Sequence, residues 1–94
     1  MDTLVLDIGG DVGALVLVAG SELAEQEIEI SPGTDPRTPR SHNVVHARQG
    51  FDGVAYTAVF PAVTAGDYTI WHHDGTPRAT VTIHGGQVTE HDLS

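Results

Sequence analysis

The sequence predicts an all-β fold, an antiparallel β-sandwich of seven or eight short strands. Three observations predict it. Eleven glycines and five prolines cut the 94 residues into short apolar stretches. Those stretches alternate with the two-residue period of a strand. No window with a helical period is long enough to stand as a helix. A chain of this length makes one domain, residues 1–94, with a single modest core.

Residues 3–8 form the first expected strand, closed by a turn at Gly9-Gly10-Asp11. In residues 14–19, Val16 and Val18 face one side and Leu15 and Leu17 the other, which marks a central or doubly covered strand. Residues 21–26 are rich in helix formers but suffice for one turn only. In residues 27–30, Glu27 and Glu29 alternate as wet positions with Ile28 and Ile30 as core positions. Pro32, Pro36 and Pro39 make residues 31–41 a surface loop, because proline cannot donate within a central strand.

Residues 42–49 read as one strand through Val44 and Val45, followed by a hairpin loop at Gly50-Phe51-Asp52-Gly53. In residues 54–60, Tyr56, Ala58 and Phe60 oppose Ala55, Thr57 and Val59. Residues 61–66 connect to a strand over 67–73, and Asp74-Gly75-Thr76-Pro77 is a turn. Residues 78–84 send Ala79, Val81 and Ile83 inward, with Thr80 and Thr82 outward. Gly85-Gly86 fits a two-residue hairpin turn leading into a last strand at residues 87–93. That register pairs Thr80 with His91 and places Trp71, Thr80 and His91 in one outer row. It also turns Glu90 and Asp92 inward, unless a bulge near Glu90 or an early end to the pairing intervenes.

Composition excludes several classes of function. Thirteen carboxylates against four arginines and no lysine give a formal charge of -9, so there is no basic footprint for nucleic acid or anionic membrane. The longest apolar run, residues 14–19, is too short to span a bilayer. No signal-peptide pattern opens the chain, so a soluble, cytoplasmic protein is expected. The absence of cysteine removes thiol nucleophiles, cysteine-ligated zinc and iron–sulfur chemistry. None of the four serines lies in a Gly-x-Ser-x-Gly elbow, and Ser41-His42 is adjacency without a triad's geometry. The acids around glycine in residues 7–13 fit neither an EF-hand loop nor a phosphate cradle. A non-catalytic protein is expected.

The run Tyr56-Thr57-Ala58-Val59-Phe60, followed by Pro61-Ala62-Val63-Thr64-Ala65-Gly66-Asp67-Tyr68-Thr69-Ile70, resembles the core of transthyretin-like (prealbumin-like) domains, such as carboxypeptidase regulatory-like and collagen-adhesin B-type domains. There a strand ending in an aromatic leads through a short loop to a Gly-x-Tyr that opens the next strand. Residues 21–30 are similar to the segment preceding that family's early strand, whose usual glycine falls here at Glu25 or Gln26. The resemblance covers residues 14–93 and implies a prealbumin-like sandwich serving as a stalk, regulatory domain or ligand-binding module. The lysine and asparagine of the isopeptide-forming members have no match, because this chain has no lysine.

Two functional expectations follow. The first is a binding module that engages a protein partner, or a second copy, through Trp71, Thr80 and His91. A tryptophan on a sheet's outer face is an interaction candidate; the alternative is a rim residue covered by the 31–41 loop. The second is a transition-metal binder (copper, nickel or zinc) built from His42, His46, His72 and His73, since neutral imidazole is a common ligand for all three metals. Six histidines are present; the plainer reading leaves them as rim groups satisfied by backbone carbonyls. In one continuous strand His42 and His46 would lie about 13 Å apart and could not share an ion. Any site would therefore join His42 or His46 to His72 or His73 across strands, with Asp74 or another carboxylate completing it.

Overall fold

Glycines and prolines divide residues 8–93, the part described by the computed structural model, into eight strands. They are β1 (Val12–Ala19), β2 (Glu27–Pro32), β3 (Ser41–Val44), β4 (His46–Gly50), β5 (Gly53–Thr64), β6 (Gly66–Trp71), β7 (Pro77–Ile83) and β8 (Val88–Asp92). A single 3-10 turn at Ser21–Leu23 occupies the helix-forming stretch. The strands make two four-stranded sheets, β4-β5-β1-β8 and β3-β2-β6-β7. The strand expected at residues 3–8 lies outside the described residues, apart from Ile8, which is not in a strand.

The two-residue period explains the core between the sheets. Leu15 and Leu17 of β1, Ile28 and Ile30 of β2, Ala58 and Phe60 of β5, and Val81 and Ile83 of β7 all point into one apolar cluster. Burying an aliphatic or aromatic side chain of this size contributes about 1.5–3 kcal/mol. Leu15 and Leu17 of β1 face the core, while Val16 and Val18 lie half-buried on the outer face between Val59 and Thr57 of β5 and Glu90 and Asp92 of β8.

Four expectations about connectivity change. Residues 42–49 are two strands, because the chain leaves one sheet and joins the other at Val45. Val45 is fully buried; its N–H donates to Gln26 O (2.9 Å) and its C=O accepts from Glu25 N (2.8 Å). Glu25 holds φ +66°, a left-handed conformation that a residue without a Cβ adopts more cheaply. Second, Ser31 and Pro32 extend interior strand β2, opposite Thr69 and Tyr68. Proline is tolerated there because it is the strand's last residue. Third, β5 runs on to Thr64, where residues 61–66 were expected to be a connection. The register of β5 against β1 passes from Leu15↔Phe60 to Gly13↔Val63, so one extra residue bulges out at Pro61-Ala62 and both Phe60 and Val63 face inward.

The fourth change concerns the C-terminus. Gly85-Gly86 does not close a hairpin: the chain crosses to the other sheet, and β8 pairs in parallel with β1, Leu17 opposite His91. The crossing brings backbones close, since a Cβ on Gly85 would overlap Gly10 O and one on Gly13 would overlap His84 O. This topology resolves the difficulty with Glu90 and Asp92. They pair with Val16 and Val18 on the outer face and are exposed, while Thr89 and His91 turn inward and are half-buried. The expected row of Trp71, Thr80 and His91 is therefore not formed. Thr80 pairs with Thr69 in one sheet and His91 belongs to the other.

Candidate functional site

Trp71 lies on the outer face of the β3-β2-β6-β7 sheet but is only 3% exposed. Glu29 sits directly opposite it on β2. The cover comes from the loop at residues 33–40, whose Arg40 guanidinium stands 4.3 Å from the indole centroid and donates to Glu29 Oε1 at 3.1 Å. The indole Nε1–H donates to Ser31 Oγ at 2.8 Å, and Thr69 Oγ1 donates to Gly33 O. Ser31 and Thr69 are buried with it, and each makes one of these bonds. At the loop's tip Asp35 caps its own turn. Side-chain hydrogen bonding from Arg37, then the Arg37 backbone N–H, holds the Asp35 carboxyl below its ordinary value. The loop-covered alternative for Trp71 is thus the one observed, and the residue reaches the surface only as part of a cleft wall.

The histidines divide by sheet. His42 pairs with Glu29 and shares the outer face of its sheet, whereas His46 pairs with Thr57 on the outer face of the other sheet. The crossing at Val45 thus puts the two on opposite sides of the sandwich, which removes His46 from any site built on the other three. His72 and His73, just past β6, line a cleft of about 180 Å³ together with Glu27, Glu29 and Trp71. His42 Nε2 stands 3.5 Å from Glu27 Oε1 at the same sheet end. Among the described residues, no group of three His, Asp or Glu side chains already converges as a metal site. Asp74, the carboxylate expected to complete one, is taken up by its turn. It accepts from Thr76 Oγ1 (2.6 Å) and Thr76 N (2.9 Å), and these bonds lower its pKa, with His72 a smaller contributor.

Two features escaped the reading of the residues. Glu27 gathers the histidines because of a register that sequence spacing does not encode. Phe51 projects fully into solvent at the two-residue turn of the β4–β5 hairpin, and Val54 beside it is half exposed. Its signal was present, since Gly50-Phe51-Asp52-Gly53 already places an aromatic at a hairpin tip. Gly53 adopts φ +112°, which closes the turn in a conformation that side chains resist.

A larger cleft of about 410 Å³ opens between the sheets, beside Pro39, Asn43, Phe60, Pro61 and Tyr68. Asn43 Nδ2 donates across it to Val59 O at 2.6 Å, tying the edge of one sheet to β5 of the other. No helix among the described residues is long and apolar enough to cross a membrane. No family model, curated protein or solved structure matches the chain.

Proposed function

We propose that the chain is a non-catalytic binding module that self-associates through the β4 edge and the Phe51 tip. The observation that supports it most is the full exposure of Phe51 on an arm almost free of formal charge. Residues 41–66 contain one arginine (Arg48) and one acid (Asp52), so the net charge of -9 resides elsewhere in the chain. Two copies meeting at this arm would approach where mutual repulsion is weakest.

The four sheet edges are not equally guarded. β8 carries Glu90 and Asp92, β7 begins with Pro77, and β3 is tied back through Asn43. Arg48 is the one formally charged residue of β4, and its Nε donates across to Thr57 Oγ1 of β5 at 2.9 Å. Unguarded edge strands add partner strands readily. Pairing of two β4 strands about a two-fold axis would join the sheets of two copies and flank the joint with both Phe51 side chains.

The accompanying fold proposal is a transthyretin-like sandwich. It is supported by Gly66-Asp67-Tyr68 opening β6, with the Tyr68 hydroxyl donating to Thr64 O at 2.7 Å. Glu25, one of the two positions at which that family's glycine would fall, holds a left-handed conformation that suits glycine, which supports it too.

Light scattering after size exclusion, across a broad dilution series, tests self-association. The wild-type chain should shift from one chain mass to two with concentration, and Phe51→Asp should remain monomeric with an unchanged circular dichroism spectrum. A wild type that is monomeric throughout, or a variant that associates equally well, overturns the proposal.

A further inference from the structure

We infer that Glu27, His42 and His73, with His72 beside them, form a binding site for a single divalent transition-metal ion on the face opposite His46. The site is independent of the self-association surface, which involves other strands.

Three observations place it. His42 Nε2 and Glu27 Oε1 are 3.5 Å apart and are not hydrogen-bonded to each other, the usual N–H···O range being about 2.7–3.2 Å. Two ligands each about 2.0–2.1 Å from a zinc ion at the tetrahedral angle stand about 3.3 Å apart, so this pair already brackets an ion's position. Second, β6 ends at Trp71, opposite Glu29, and His72 and His73 follow it into a turn beside the start of β2, where Glu27 stands. His72 and His73 accordingly line the same cleft as Glu27. Third, the neighbouring groups leave Glu27 as the ligating carboxylate. Glu29 is engaged by Arg40 and Asp74 by Thr76, whereas Glu27 makes only the long His42 contact among the described residues.

His73 is exposed and His72 half-buried, so a change of side-chain rotamer brings an imidazole onto the ion without moving the sheet. Two imidazoles and a carboxylate suit copper(II), nickel(II) and zinc, and disfavour magnesium and calcium, which require mostly oxygen ligands. Ordering exposed side chains opposes binding, so the ion's affinity falls below that of a rigid structural centre.

The cleft carries its own reporter, because Trp71 lines it and is the chain's only tryptophan. Copper(II) and nickel(II) added to the tag-free full chain should quench Trp71 fluorescence saturably, and calorimetry with zinc should give one ion per chain. Glu27→Gln, His42→Ala and His73→Ala should each weaken binding about tenfold or more. His46→Ala, His84→Ala and His91→Ala should leave it unchanged. Absence of saturable quenching overturns the inference. So does binding that survives His42→Ala and His73→Ala, or that is lost in His46→Ala. A circular dichroism spectrum matching wild type confirms that each variant is folded before its titration is read.

Discussion

The molecule displays two large aromatics at the outer margins of its sheets and treats them oppositely. Trp71 is on an outer sheet face and is closed over by Arg40 and the 33–40 loop, while Phe51 is at a hairpin tip and is left bare. Trp71 is the last residue of β6 and Phe51 the first of the β4–β5 turn, so the contrast lies in the connections and not in the strands. A loop of eight residues with two arginines folds back over Trp71. The β4–β5 connection, at two residues, is too short to cover anything. Exposure is set here by the length and chemistry of the connection, and an aromatic on a tight turn has nothing to cover it but a partner.

The largest expected effect separates the two aromatics thermodynamically. Trp71→Ala should destabilise the fold by about 3–5 kcal/mol, the usual cost of truncating a buried tryptophan. Phe51→Ala should change stability by no more than about 0.5 kcal/mol. Urea unfolding of the two variants, at concentrations where the chain is monomeric, checks this directly. Equal losses would mean that the loop over Trp71 contributes no real cover.

A smaller effect examines how that cover is held. Ser31→Ala leaves the indole Nε1–H without its acceptor inside a covered site and should cost about 1–3 kcal/mol. It should also raise acrylamide quenching of Trp71, because the loop loses the fixed indole on which Arg40 rests. No change in either quantity would show that Ser31 is a bystander.

Much of this contrast was legible in the residues, and its limits have a physical source. Ile28 and Ile30 inward, Ala79, Val81 and Ile83 inward, and Gly50-Phe51-Asp52-Gly53 as a hairpin all follow from local periodicity and turn chemistry. What local pattern cannot encode is which sheet a strand joins. A break at Val45 or Gly85-Gly86 reads the same whether the chain turns back in a hairpin or crosses over. Both of these breaks are crossings, and His46 and His91 were misplaced for that reason. The period of two fixes the face a side chain occupies within its strand. The neighbours on that face come from register, which is why Glu27 reads in the residues only as a wet position of its strand and not as the carboxylate beside His42.

The smallest effect concerns pH, and it bears on the closed region. Asp35 pins the tip of the 33–40 loop, and its pKa is lowered from 3.8 chiefly by the Arg37 side chain. A carboxyl whose folded pKa lies below its unfolded value contributes stability above the unfolded value. That contribution is lost as pH falls through the folded one. The loop should therefore be fully pinned at about pH 5 and loosen only below 3.8. Because Asp35 is exposed and its side-chain bonds stay within its own turn, the change is local and leaves the sandwich folded. Acrylamide quenching of Trp71 should stay flat from neutral pH down to that threshold and rise below it. In Asp35→Asn the higher, acid-like quenching should already be present at neutral pH. Quenching in Asp35→Asn that matches wild type at neutral pH would show that the turn at Asp35 does not help close the loop. The cover over Trp71 would then depend on the bond of Arg40 to Glu29 and on the Gly33 bonds to Thr69 and Asp67.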